Sequence, residues 1–196
     1  ILKKCGIHYF ATIKLAWNEY NKFPHTTFNW VGIDGSSVLA HMPPEGDYTS
    51  GVTPLCVKQA LDNFMEKDRL RNALLVYGNG DGGGGPTQTH VELIKRQQTI
   101  QWLPRVEFGR AVDFFKRLEQ YKDVLPVYQG ELYLEKHQGT YTTQAQNKYY
   151  NRKLELLLHE CEYLAACAYL KGYSYPHALF ERIWKEVLLY QFHDIL

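Results

Sequence analysis

Apolar and polar positions along this chain follow two periods, and the change from one to the other marks its organisation. Around the dipeptide Asp34-Gly35, the stretch "TFNWVGIDGSSVLAHM" alternates apolar residues on both sides, the two-residue period of half-buried strands. Asp-Gly tolerates the positive φ of a tight turn, so the spacing predicts a β-hairpin. Upstream, "IHYFATI" is β-branched and aromatic enough for a buried strand. It is preceded by "ILKKCG", which reads as the last turn of a helix with Gly6 just past its end. From Pro54 to about Lys67, apolar residues fall at helical spacing (Leu55, Ala60, Leu61, Phe64, Met65), and "NALLVYG" follows as a short continuous apolar strand. Thr87 predicts the N-cap of a helix reaching about Trp102. "RVEF" then predicts a short strand, "GRAVDFFKRLEQY" an amphipathic helix, and "VLPVYQGELYLE" a return to extended chain.

From about Thr142 the two-residue period is gone. "QAQNKYYNRKLELLLHECEYLAACAYLKG" keeps helical periodicity throughout and stops at Gly172, while "PHALFERIWKEVLLYQFHDIL" starts on Pro176 and predicts helix to the last residue. "HQGTYTT", near His137 to Tyr141, interrupts both patterns, so the expected division is residues 1–138 and 139–196. Strands alternating with helices in the first part predict an α/β fold with a parallel sheet or barrel, whose functional loops sit at the strands' C-terminal ends. The second part is expected to be helical.

Composition narrows the functional classes. With 22 basic and 21 acidic side chains the formal net charge is +1, so no long-range field recruits nucleic acid or an anionic membrane. No apolar run is long enough to span a bilayer, and no basic-plus-apolar leader opens the chain. The four cysteines (Cys5, Cys56, Cys161, Cys167) form no CxxC pair and read as free thiols of a reducing compartment. The absence of an initiator Met and the helix-end character of "ILKKCG" lead us to expect that the natural start lies upstream.

Two places carry candidate chemistry. "YGNGDGGGGPT", Tyr77 to Thr87, sets one carboxylate, Asp81, inside a run of glycines after the predicted "NALLV" strand. A phosphate loop of the Walker type needs a lysine after its second glycine; here Gly85 is followed by Pro86, and the loop holds no lysine at all. Two readings remain: a loop whose missing side chains let a ligand approach while Asp81 faces it, or an Asp accepting its own loop's N–H groups in a tight turn. The second place is "QFHDIL", with His193 and Asp194 at the end of the predicted terminal helix. It reads either as a partly buried polar pair or as a metal ligand whose partners come from elsewhere in the fold. The other histidines are unclustered. "GELYLEKHQGTYTT", rich in aromatics and carboxylates (Glu131, Tyr133, Glu135, Tyr141), suits a sugar-lined wall or a domain junction. The four tryptophans and 15 tyrosines fit sugar stacking and an aromatic core equally.

Taken together, four segments resemble one family, the zinc-dependent α-mannosidases of glycoside hydrolase family 38, closest to its cytosolic and vacuolar branch. They are "KLAWNEYNKFPHTTFNWVGIDGSSVLAHMPP", "YGNGDGGGGPT", "GELYLEKHQGTYTTQA" with "NRKLELLLHECE", and the terminal "QFHDIL", in the family's order across nearly the whole chain. The resemblance implies a partial seven-stranded-type α/β barrel catalytic domain followed by the start of an α-helical bundle middle domain. It implies a retaining glycosidase acting on α-mannoside oligosaccharides, with zinc (Zn2+) gripping the mannose hydroxyls, in the cytoplasm or the vacuole. It names no nucleic-acid or membrane partner and leaves homo-oligomerisation open. By the same resemblance, His193 matches a zinc ligand, Asp194 a sugar-contacting carboxylate, Asp81 the acid/base, and Lys14 a cationic residue near the nucleophile. Some members carry two adjacent acids where this chain has Asp81 and Gly82. The family's nucleophile and its His-x-Asp zinc pair match no segment here, so the chain is expected to be an interior piece, inactive by itself. His193 on a helix of the second domain is expected to couple zinc binding to folding of the junction. A non-catalytic sugar-binding or structural module on the same scaffold is the alternative.

Overall fold

The computed structural model describes all 196 residues. They form two compact units, Ile1–Lys136 and His137–Leu196.

The N-terminal unit is built on a four-stranded mixed sheet of β1 (Tyr9–Ala11), β2 (Thr27–Val31), β3 (Ser37–His41) and β4 (Val127–Gln129), in the order β1-β3-β2-β4. The expected hairpin is present. β2 and β3 pair antiparallel in the register Thr27↔His41 to Val31↔Ser37. Gly35 takes φ 77°, and Asp34 accepts the Ser36 amide at 3.0 Å. The outer pairings, β1 on β3 and β4 on β2, are parallel, so the sheet is mixed where alternation alone suggested a parallel one.

Strand pleating sends neighbouring residues to opposite faces, and both faces are covered. Leu39 enters one cluster with Phe64, Leu70, Phe114, Phe115 and Leu118. Ala40 enters the other, with Leu15, Phe28 and Met42 and with Phe10, Phe23, Trp30 and Tyr128 at its edge. Three helices accompany the sheet: α1 (Pro54–Asn63), α2 (Gln88–Gln97) and α3 (Ala111–Leu118). Thr53 caps α1 by accepting the Cys56 amide. Thr87 caps α2 in a reciprocal box in which the His90 side chain accepts the Thr87 amide at 3.1 Å. α2 ends at Gln97, before the expected Trp102, which takes φ 70° outside the helix.

Two expected strands are absent. "RVEF" is irregular, and "NALLVYG" forms no strand; its only ladder contact is an isolated parallel bridge from Tyr77 to Ser50. Its anchoring explains why. The Leu74 amide donates to Nε2 of the buried His41 at 3.2 Å, so a side chain satisfies the backbone group that a strand would have offered to a neighbour.

The C-terminal unit holds a 3₁₀ turn (Gln138–Tyr141), the 25-residue α4 (Ala145–Tyr169) and α5 (His177–Tyr190). Gly172, at φ 90°, ends the first helical stretch. α4 and α5 bury Leu158, Phe180 and Val187 between them. α5 stops at Tyr190, so the expectation of helix to the last residue is corrected: His193 and Asp194 lie in a turn beyond it. No helix is long and apolar enough to cross a membrane.

Candidate functional site

The glycine loop owes its course to residues without side chains. Gly78, Gly83 and Gly84 take φ of 119°, 76° and 129°, conformations that a Cβ would strain. Asn79 spans the loop by donating to the Gly85 carbonyl at 3.4 Å. Asp81 itself sits at φ 36°, exposed, and its carboxylate has no hydrogen-bond or ion-pair partner in the chain. The turn-capping reading of Asp81 is therefore not the one the structure adopts.

One neighbouring loop ties this region to the turn that carries Lys14. The segment from Pro43 to Thr53 is fixed at several points. Asp47 accepts the Thr49 amide at 2.9 Å and its hydroxyl at 2.9 Å, which holds the Asp47 carboxyl below the usual range. The Ser50 amide donates to the Val76 carbonyl at 3.0 Å. The buried Val52, at φ 51°, is held in a strained conformation by the Gln97 side-chain amide, which donates to its carbonyl. From this loop Tyr48 reaches one way, its hydroxyl accepting the Ile13 amide at 3.0 Å. Thr49 reaches the other, its Cγ2 lying where a Cβ on Gly80 would approach to 2.9 Å. The turns bearing Lys14 and Asp81 thus flank one rigid segment. Lys14 is exposed and places its ammonium 3.8 Å from the centre of the Trp17 ring.

The stretch after Lys14 is locked by a residue whose role the sequence left open. Glu135 accepts the amides of Glu19 at 2.6 Å, of Tyr20 at 3.1 Å and of Asn21, together with the Asn21 side chain at 2.8 Å. Partial desolvation pushes the Glu135 carboxyl up, but the amide donors outweigh it and hold the group down at about 2. The buried Asn18 completes the lock, donating to the Tyr133 carbonyl at 2.8 Å and accepting the Glu135 amide at 3.0 Å. No pattern of apolar spacing signals such a clamp. Its trace in the sequence is the pair of polar-aromatic segments "WNEYN" and "ELYLE".

The aromatic residues divide by role. Trp30 lies 5.1 Å from Phe10 and donates to the Gly130 carbonyl at 2.8 Å, a core use. Trp184 donates to Glu162 at 3.0 Å beside the α4–α5 core. Trp17 is half-buried beneath Lys14, and Trp102 is fully exposed.

In the C-terminal unit, His193 and Asp194 are exposed, with Nε2 3.2 Å from the Asp194 carboxylate, so the reading of a partly buried pair is corrected. The chemistry of this donor set suits a metal in part. A neutral imidazole is a zinc ligand, and a carboxylate against its other nitrogen is the usual partner that orients such a ring. Zinc takes three or four protein ligands, and no group of three His, Cys, Asp or Glu side chains in this chain is placed to hold one ion. His193 is one nitrogen donor of the kind zinc takes, and the remaining ligands of any such set would come from outside these residues. All four cysteines are free.

Comparison with known proteins matches the chain at both ends. The glycosyl hydrolases family 38 N-terminal domain matches residues 1–131, and the alpha mannosidase middle domain matches residues 135–196. "Alpha-mannosidase G" of Dictyostelium discoideum is 43% identical over 198 residues, covering 100% of this chain and 18% of the relative. "Alpha-mannosidase 2C1" of Homo sapiens is 42% identical, covering 100% of this chain and 19% of the relative. "Alpha-mannosidase" of Saccharomyces cerevisiae is 42% identical, covering 97% of this chain and 19% of the relative. The chain spans about a fifth of the length of the curated relatives it matches.

Proposed function

The chain belongs to glycosyl hydrolase family 38, and on that premise we propose that the intact protein is a zinc-dependent retaining α-mannosidase. It would release non-reducing α-linked mannose from oligosaccharides in the cytosol or vacuole. Residues 1–138 are read as part of its α/β barrel catalytic domain and 139–196 as the opening of its helical middle domain. The observation that carries this reading is the Asp81 carboxylate, exposed, unpartnered and held in a loop that its positive-φ glycines shape.

Retaining glycoside hydrolysis uses two carboxyls about 5–5.5 Å apart, one as nucleophile and one as acid/base. Asp81 is assigned the second task. Its proton passes to the glycosidic oxygen as the bond to the anomeric carbon breaks. The glycosyl group is then carried by the nucleophilic carboxylate, which no residue of this chain is assigned to supply. Asp81, now ionised, takes a proton from the water that releases mannose and returns to its starting state. With no internal hydrogen bond to break, both transfers cost the loop no structure. Lys14, steadied over Trp17, is assigned to the negative charge near the reaction centre, and Asp194 to a sugar hydroxyl. His193 is assigned as one ligand of a zinc ion, which supplies Lewis acidity toward mannose hydroxyls.

The test is Asp81→Asn in the full-length enzyme, with two substrates. Turnover of a natural mannose disaccharide is expected to fall by about 10²–10⁴-fold, the loss of general acid–base help. First-step cleavage of an aryl mannoside with a good leaving group, which needs little protonation, is expected to change far less. Undiminished turnover of the disaccharide refutes the assignment.

A further inference from the structure

We infer that Asn147 and Gln191 are positioning residues for His193, fastening the turn that carries it to α4 so that the imidazole keeps a fixed direction. The inference rests on the reading that His193 is a metal ligand.

Beyond Tyr190 the chain closes into a tight turn, with the Ile195 and Leu196 amides donating to the Phe192 carbonyl at 2.9 and 3.2 Å. Ile195 and Leu196 are half-buried, but the residues at the centre of the turn are not. Phe192 is 51% exposed and the His193 side chain 80%. An exposed turn of this kind moves locally unless something ties it down.

Two ties are present, one on each side of His193-Asp194. Before the pair, the Gln191 side-chain amide donates to Asn151 Oδ1 at 3.3 Å and to Glu155 Oε1 at 2.8 Å. After it, the Asn147 side chain donates to the Ile195 carbonyl at 3.1 Å. Asn147, Asn151 and Glu155 recur every four residues and share one half-buried face of α4. One turn on, the same face buries Leu158 against Phe180 and Val187.

Packing alone would extend the apolar stripe; instead the face turns polar where it meets the His193 turn. Each of its three polar side chains has a partner there. Arg152 holds the second oxygen of Glu155 at 2.7 Å, which leaves the first aimed at Gln191. Fixing both flanks of a five-residue turn restricts its rotation, and ligands held this way bind metal more tightly than free ones.

The experiment measures zinc affinity of the full-length protein by competition with a chromophoric chelator, with far-UV circular dichroism as a check on helix content. Asn147→Ala and Gln191→Ala are each expected to weaken zinc binding by about 10–100-fold. Lys153→Ala, an exposed change on the same helix, is expected to leave it unchanged. Wild-type affinity in both Asn147→Ala and Gln191→Ala, with zinc lost in His193→Ala, overturns the positioning role and leaves the ligand assignment standing. Full zinc retention in His193→Ala overturns the ligand assignment and the inference with it. If Asn147→Ala lowers helix content, Gln191→Ala, a surface change with its own tie, decides alone.

Discussion

Asp81 and His193 are held by opposite means, although both are exposed and both lie just outside regular structure. Asp81 rides on main chain: positive-φ glycines shape its loop, and no side chain touches its carboxylate. His193 sits in an ordinary turn fastened by side chains from a neighbouring helix. The units around them differ in the same sense. The N-terminal unit buries polar groups deeply, including His41, Glu66 and Gln97, whereas the C-terminal unit buries only Leu158, Phe180 and Val187 and keeps its polar pairs near the surface. A site on bare backbone needs a rigid interior behind it. A site on side-chain ties needs only a straight helix to tie to.

The largest expected effect that sharpens this contrast is acid lability of the N-terminal unit. Burial pushes the His41 imidazole from its ordinary 6.5 down to about 3, so it is neutral in the native state. Nε2 accepts the Leu74 amide, so Nδ1 carries the proton and donates to the Thr27 hydroxyl at 2.9 Å. Its ring neighbours are Phe64, Phe114 and Phe115, none of which carries a counter-charge. The unfolded chain binds the proton first. Stability is therefore full above 6.5 and falls with pH below it, by up to about 1.4 kcal/mol per unit and on the order of 5 kcal/mol in all below pH 3. Urea unfolding of this unit between pH 7 and pH 5 checks it, and a flat profile there breaks the contrast.

Next in size is Glu66→Ala. This buried carboxylate accepts the Thr26 hydroxyl at 2.6 Å and the Thr26 and Thr27 amides at 3.0 and 2.8 Å. Leaving those donors unpaired is expected to cost about 3 kcal/mol. Arg152→Ala, which breaks an exposed pair with Glu155 on α4, is expected to cost about 0.5 kcal/mol or less. Equal shifts in urea midpoint for the two would erase the difference between the units.

The smallest effect probes the glycine loop itself. A methyl at Gly80 meets the Thr49 Cγ2 at 2.9 Å, and the Thr49 hydroxyl bond to Asp47 resists turning that methyl away, so the glycine loop must give by a few tenths of an ångström. Gly80→Ala is expected to cost under about 1 kcal/mol of stability while lowering turnover a few-fold by displacing Asp81. Adding Thr49→Ser, which removes the obstructing methyl, is expected to restore turnover. A double variant no better than Gly80→Ala would mean that the contact does not set the loop.

Much of the fold was legible where a local rule dominates. Asp34-Gly35 named its hairpin, Thr87 its cap, and Gly172 its helix end, because each depends on bonds made within a few residues. "NALLVYG" had the composition of a strand, yet its backbone was claimed by His41, a partner 33 residues away. The terminal helix was extended too far because nothing in "YQFHDIL" resembles a stop signal. Asp81 and His193 were visible as unusual residues in unusual settings. Glu135 was noticed only as one carboxylate of an aromatic stretch, and Asn147 and Gln191 not at all, because polar residues on a helix or in a loop look alike until their partners are in place.

The sequence by itself determined the β2–β3 hairpin, the capped start of α2 and the family to which the chain belongs, since all three are written in local spacing and motif. Only the tertiary structure decided which amide His41 takes, which loop braces Asp81 and which helix face holds His193. Hydrogen bonds between residues distant along the chain depend on distance and direction in space, and linear order carries neither.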